Sequence, residues 1–223
     1  MLKLPAGEAH HLLKVLRGGR GDLIEVADSS GRLFAAELRG GREAVVLEEL
    51  AAPGPADTEV SLYQAVPKGG RMDLVVEKAT EVGVTSLVPL LTERGVVSPR
   101  EGKVGRWRRV AEAAARQSLR VSVPDVSDPV PFPEAVSRVG PRGVLLHNEP
   151  GLPPVEAVVG SPVGPPVGLF VGPEGGWSER ELRLAGEAGM PLGSMGPYRL
   201  RSETAGIVAV ARAFATLENR IKH

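Results

Sequence analysis

Two segments in the C-terminal third of this 223-residue sequence have the residue types and spacing to do chemistry. The first is Phe170-Val171-Gly172-Pro173-Glu174-Gly175-Gly176-Trp177-Ser178, where an apolar run closes on a glycine-rich turn. A buried strand feeding a helix reads this way, and in open α/β sheets ligands bind at the end of such a strand. Gly172, Gly175 and Gly176 let the backbone turn sharply and approach a ligand closely. Ser178 followed by Glu181 has capping-box spacing, so a helix is expected to start there. Taken alone, the segment fits a tight strand-to-helix turn with no ligand equally well, because short glycine motifs carry little information.

The second segment is Ser194-Met195-Gly196-Pro197-Tyr198-Arg199-Leu200-Arg201-Ser202-Glu203-Thr204-Ala205. It too leads from a short strand through a Gly/Pro turn into a helix, with Ile207, Ala211, Phe214 and Leu217 at helical spacing. The helix's apolar face would serve a core or a dimer equally well. A phosphate-binding reading of the pair fits poorly. Neither GxxxxGKS/T nor GxGxxG occurs, and Glu174 would repel an anion where phosphate loops offer bare amides. A ligand with ribose hydroxyls and a positive sulfonium suits the segment better, which points to S-adenosylmethionine (SAM).

The rest of the composition narrows the class. There is no cysteine, so disulfides, thiolate zinc sites and cysteine nucleophiles are excluded. His10, His11, His147 and His223 have no ligand spacing with carboxylates, and no metal is expected. No apolar run is long enough to cross a membrane and no signal-peptide pattern opens the chain, so a cytoplasmic location is expected. Formal net charge is zero, yet residues 94–120 hold eight basic residues against two acidic ones. A zero sum therefore leaves room for a local basic face.

The elements that must position these segments follow from periodicity. A short helix is expected over 9–17, stopped by Gly18, Gly19 and Gly21. β-type segments follow over 22–27, 32–38 and 43–50, separated by turns at Ser29-Ser30-Gly31 and Gly40-Gly41, a small β-barrel-like module. Pro53-Gly54-Pro55 breaks the pattern, which places a domain boundary there: residues 1–54, then 55–223. Beyond it, strands at 59–66, 85–91, 143–147 and 167–171 alternate with a helix at 71–82, an α/β pattern. Residues 124–141 are too proline-rich to assign, and 151–166 read as a long connection. On a helical projection of 104–120, Arg106, Arg109, Arg116 and Arg120 share one side; Val104, Trp107, Ala111 and Ala114 share the other. Such a stripe is most often a solvated face, but it also suits phosphate contact.

Together, Phe-Val-Gly-Pro-Glu-Gly-Gly at 170–176 and Leu-Arg-Ser-Glu-Thr-Ala at 200–205 resemble the signature of the RsmE family of 16S ribosomal RNA uridine-N3 methyltransferases, within the SPOUT superfamily. The likeness covers nearly the whole chain. His11 with Val15-Leu16-Arg17 resembles the family's N-terminal motif, and residues 68–83, running from Lys-Gly-Gly-Arg-Met-Asp to Glu-Lys-Ala-Thr-Glu-Val-Gly, resemble the next. Thr92-Glu93-Arg94 and Gln117-Ser118 resemble two more. Ser202 stands where the family more often has threonine and keeps the hydroxyl.

The resemblance implies a SPOUT-type C-terminal domain with a deep trefoil knot, an N-terminal PUA-like barrel that contacts RNA, and a homodimer. It implies SAM bound at Leu146, His147, Phe170, Gly172, Pro173, Glu174, Gly175, Gly176, Met195, Leu200, Arg201, Thr204 and Ala205. Uridine N3 is a poor nucleophile until its proton leaves, so Arg201 is expected to stabilise the anion and Glu203 to accept the proton, although Glu203 suits a helix cap as well. Contacts to 16S rRNA or the small subunit are expected from Arg106, Arg109, Arg116 and Arg120, then Lys14, Arg17, Lys68, Arg71 and Arg94. Two other readings remain: a non-catalytic RNA-binding or ribosome-assembly factor of the same fold, and an α/β nucleotide-binding enzyme.

Overall fold

The computed structural model describes residues 1–15, 17–28, 32–50, 58–96, 99, 102–120, 122–160 and 166–221. The expected boundary at Pro53-Gly54-Pro55 and the expected turn at Ser29-Ser30-Gly31 lie outside them. The chain forms two compact units, Met1–Pro55 with Leu119–Ser122, and Ala56–Ser118 with Val123–His223.

The first unit holds β1 (Leu2–Lys3), α1 (Ala6–His10), a π-helical turn (His11–Val15), β2 (Leu23–Ala27), β3 (Leu33–Gly40) and β4 (Glu43–Leu50). Its strands form an antiparallel sheet in the order β1-β4-β3-β2 over a core of Leu4, Ala9, Ala36, Leu38 and Ala44. Gly40 and Gly41 turn the β3–β4 hairpin at φ +116° and +58°, angles that glycine adopts without strain. The helix expected over 9–17 begins earlier and loses α geometry at His11. Arg17 takes a φ of +58°, and the Gly18 amide closes a wide turn on the Leu12 carbonyl at 2.9 Å.

The second unit runs β5 (Val60–Ala65), α2 (Met72–Val82), β6 (Ser86–Leu91), α3 (Lys103–Gln117), β7 (Asp125–Val126), β8 (Val130–Pro131) and α4 (Phe132–Val139). It continues through β9 (Gly143–Leu146), α5 (Val155–Val158), β10 (Val167–Val171), α6 (Glu179–Glu187), β11 (Leu192–Gly193) and α7 (Ser202–Ile221). The sheet is parallel throughout, in the order β11-β9-β10-β5-β6-β7, with β8 also on β6. Every residue of β9 and β10 is buried, as a strand covered on both faces requires. Successive side chains take opposite faces. Leu62 and Leu169 pack with residues of α2, α3, α5 and α7, while Leu145 and Phe170 pack with those of α4 and α6. Phe170 stacks on Tyr63 at 4.4 Å between ring centroids.

Three departures from the sequence pattern have local causes. The proline-rich stretch 124–141 folds into β7, β8 and α4, because Pro131 and Pro133 fall at the helix's first positions, where no backbone donor is missed. The connection over 151–166 contains α5. The arginine helix stops at Gln117, where the Ser118 amide caps Ala114 and Leu119 takes a φ of +54°. Arg120 therefore leaves the helical stripe, and burial lowers its pKa from the ordinary value.

From β5 the chain builds outward to β6 and β7 on one side, and β10, β9 and β11 fill the other. The direction of winding changes between β5 and β10, which opens a crevice beyond the strands' carboxyl ends.

Candidate functional site

Beyond the carboxyl ends of β9, β10 and β11 lies a cleft of about 660 Å³, the size of a small-molecule site. Three loops form most of its wall. Leu146 ends β9 and His147 and Asn148 follow it, Gly172 to Trp177 follow β10, and Met195, Gly196, Tyr198, Arg199, Leu200, Arg201, Ser202 and Ala205 follow β11. Val171 ends β10 at the floor, and Arg94 reaches in from the loop after β6.

Side chains pin the loops by their backbone carbonyls. Trp177 Nε1 donates to the Leu146 carbonyl at 2.9 Å, tying the β10 loop to the β9 loop. Ser202 Oγ donates to the Gly172 carbonyl at 2.7 Å, and Arg94 Nη1 to that of Gly175 at 3.1 Å. Arg212, on α7, donates to the Met195 carbonyl at 2.9 Å while its other nitrogens bind Glu156. Glycine is favoured at two positions of the β10 loop. A Cβ at Gly172 would sit 3.0 Å from the Trp177 ring, and Gly176 has a φ of +68°.

The expected capping box is present: Ser178 Oγ accepts from the Glu181 amide at 3.1 Å, and Glu181 Oε2 accepts from the Ser178 amide at 2.8 Å. Glu181 does more than the spacing suggested. Its Oε1 accepts from the Glu93 amide at 3.0 Å, so one buried carboxylate joins the start of α6 to the loop that carries Arg94. Glu174 Oε1 accepts from the Lys68 amide at 3.1 Å, linking the glycine loop to the loop after β5.

Of the residues expected to hold a cofactor, Leu146, His147, Gly172, Pro173, Glu174, Gly175, Gly176, Met195, Leu200, Arg201 and Ala205 line the cleft. Phe170 and Thr204 do not. Phe170 points to the opposite face of the sheet, into the aromatic stack, and its neighbour Val171 takes the wall. Thr204 is exposed on the first turn of α7, which aims Ser202 and Ala205 at the cleft instead. Trp177, Tyr198, Arg199 and Ser202 also line the cleft. They belong to the two motif segments, but a motif does not show which of its side chains face inward.

Arg201 and Glu203 part company. Arg201 is exposed on the cleft wall. Glu203 is outside the cleft lining: it is buried, and its Oε1 lies 3.3 Å from Nη1 of the half-exposed Arg71. Its other carboxylate oxygen has no hydrogen-bond partner.

The basic residues are equally divided. Lys14 and Arg17 are exposed in the first unit. Lys68 is exposed on the loop after β5, and Arg109 and Arg116 are exposed on α3. Arg106 is engaged with Asp73 at 2.6 Å. Trp107, Ala111 and Ala114 are buried on the other side of α3, as the projection predicts. Among the described residues there is no group of three or more His, Asp or Glu side chains arranged to hold a metal, and no helix long and apolar enough to cross a membrane.

Residues 54–213 match the family model described as an RNA methyltransferase domain. The chain is 35% identical to ribosomal RNA small subunit methyltransferase E of Synechocystis sp., over 97% of its own length and 73% of the relative's. Its fold matches the crystal structure of a ribosomal RNA small subunit methyltransferase E from Neisseria gonorrhoeae bound to S-adenosyl methionine, with TM-score 0.75, 29% identity, and coverage of 94% and 89% of the two chains. A methyltransferase from Legionella pneumophila, in complex with the bound cofactor SAM, matches with TM-score 0.76 and 28% identity, over 98% and 91% of the two chains.

Proposed function

The chain belongs to the RNA methyltransferase domain family, among the ribosomal RNA small subunit methyltransferase E proteins, and on that premise we propose that its cleft binds SAM and methylates N3 of a uridine in 16S rRNA. The observation that carries this reading is the cleft itself: three loops after the neighbouring strands β9, β10 and β11, each held by a side chain on a backbone carbonyl. The lining residues fit the ligand. Leu146, Val171, Met195, Leu200 and Ala205 offer apolar surface to adenine, and the backbone of Gly172, Met195 and Leu200 supplies polar groups for its edge and the ribose. No phosphate-loop lysine is called for, and Glu174 is a carboxylate that a sulfonium tolerates and a phosphate does not.

When bound, SAM supplies an electrophilic methyl group. The pinned loops hold the ligand in one place, and fixed geometry between nucleophile and methyl accounts for much of the rate in a displacement of this kind. Uridine N3 carries a proton and is paired in duplex RNA, so the base must be unpaired or flipped out to enter. Arg201, one of three arginines lining the cleft with Arg94 and Arg199, is suited to stabilising the N3 anion as the proton leaves. Glu203 is better assigned to holding Arg71 at the neighbouring loop than to accepting the proton, because Arg71 already engages it and it does not face the cleft.

For the RNA, Arg109 and Arg116 on α3 lead, with Lys68, Arg71, Arg94, Arg106, Arg120, Lys14 and Arg17 as further contacts. Residues 1–54 would form a PUA-like RNA-binding barrel, which the bulged antiparallel sheet supports, and 55–223 the methyltransferase domain. A trefoil knot in the methyltransferase domain belongs to the same reading and rests on the family resemblance. A cytoplasmic homodimer acting on the small subunit completes the reading. Equilibrium SAM binding tests it together with turnover of the Arg201→Ala variant. Binding retained with turnover lost supports an enzyme using Arg201; absence of SAM binding by the unaltered chain refutes the reading.

A further inference from the structure

Gln64 is fully buried in the middle of the parallel sheet, in register with Val171 on β10 and Pro89 on β6. A primary amide among apolar neighbours is unfavourable unless its polar atoms are engaged. Its Nε2 donates to the Ala65 carbonyl at 3.0 Å and to Ser202 Oγ at 2.9 Å. Ser202 Oγ in turn donates to the Gly172 carbonyl at 2.7 Å. A three-membered chain thus runs from the floor of the sheet, through the first residue of α7, to the loop after β10, joining two walls of the cleft. The other end of the amide, Gln64 Oε1, is buried without a hydrogen-bond partner and faces residue 206. A Cβ on residue 206 would lie 2.2 Å from Gln64 Oε1, so Gly206 leaves the space that the amide fills.

We infer that Gln64 is a positioning residue of the cofactor site: through Ser202 it sets the spacing between Gly172 and the start of α7 without itself lining the cleft. The inference rests on the proposed SAM site. An apolar side chain of the same length would suit the core better, so stability alone does not account for an amide here. What the amide adds is direction, because it orients the Ser202 hydroxyl toward the Gly172 carbonyl. Fixing that hydroxyl holds both walls before the ligand arrives, and preorganisation of this kind is expressed as affinity.

The test compares SAM binding and steady-state kinetics of the full chain with those of Gln64→Met, Ser202→Ala and the double variant. Each single variant is expected to bind SAM about tenfold more weakly, the scale of one hydrogen bond. KM for SAM rises correspondingly and turnover at saturating SAM changes much less. The double variant is expected to be no weaker than the weaker single, since both substitutions cut the same chain. Unchanged SAM affinity in folded Gln64→Met, or losses that add in the double variant, overturn the inference. If the unaltered chain fails to bind SAM, the functional reading itself falls. A second arm needs no ligand: Gly206→Ala should lower the melting temperature in the natural background and do so far less alongside Gln64→Ala. Equal harm in both backgrounds also overturns the inference, because the amide would not then occupy the space beside residue 206.

Discussion

Arg201 and Glu203 stand two residues apart and meet different surroundings, one on the cleft wall and one buried against Arg71. Replacing Arg201 with Ala should lower single-turnover methyl transfer about a hundredfold at saturating SAM, the usual cost of removing a donor that stabilises a developing anion. Glu203→Gln removes the charge opposite Arg71 and should lower that rate by less than about tenfold, below the effect expected of a general base. Equal losses in the two variants would restore Glu203 as the proton acceptor. The residue types were legible in the sequence and their facing was not. Each helical residue turns about 100° from the last, and a strand reverses at each step, so Glu203 and Phe170 left the cleft while Ser202 and Val171 entered it.

At the scale of elements, the capping box at Ser178 and the apolar stripe of α3 were both legible, because each is a local pattern with one physical solution. The end of α3 was not. Nothing in the side-chain spacing marks Leu119 as left-handed, and Arg120 was carried along with a stripe that stops at Gln117. Ser178→Ala should cost about 1 kcal/mol of stability, read as a lower melting temperature. SAM affinity should fall with it, because the same helix start is tied through Glu181 to the loop of Arg94; a lower melting temperature with unaltered affinity would separate the cap from the site. Replacing both Arg109 and Arg116 with Ala should weaken rRNA binding and flatten the plot of log affinity against log salt by about one unit for each phosphate no longer neutralised. Unchanged binding and slope would make this face merely solvated.

For the whole molecule, the alternation of strands and helices pointed to an α/β sheet, but the strand order could not be read. Parallel strands carry the same continuous apolar runs wherever they sit, so the placement of β10 between β9 and β5 had no local signature. The cleft depends on that order, since β11, β9 and β10 are neighbours and bring the loops of residues 146–148, 172–177 and 195–205 together. Which residues of the two motifs line the cleft follows from the geometry and not from the motifs. The most direct test is to incubate the chain with labelled SAM and small-subunit rRNA from cells lacking it, then identify the methylated nucleoside by mass spectrometry. N3-methyluridine at a single position is expected, formed about a hundredfold more slowly by Arg201→Ala; no incorporation, or a methyl group on another base or atom, would contradict the proposed function.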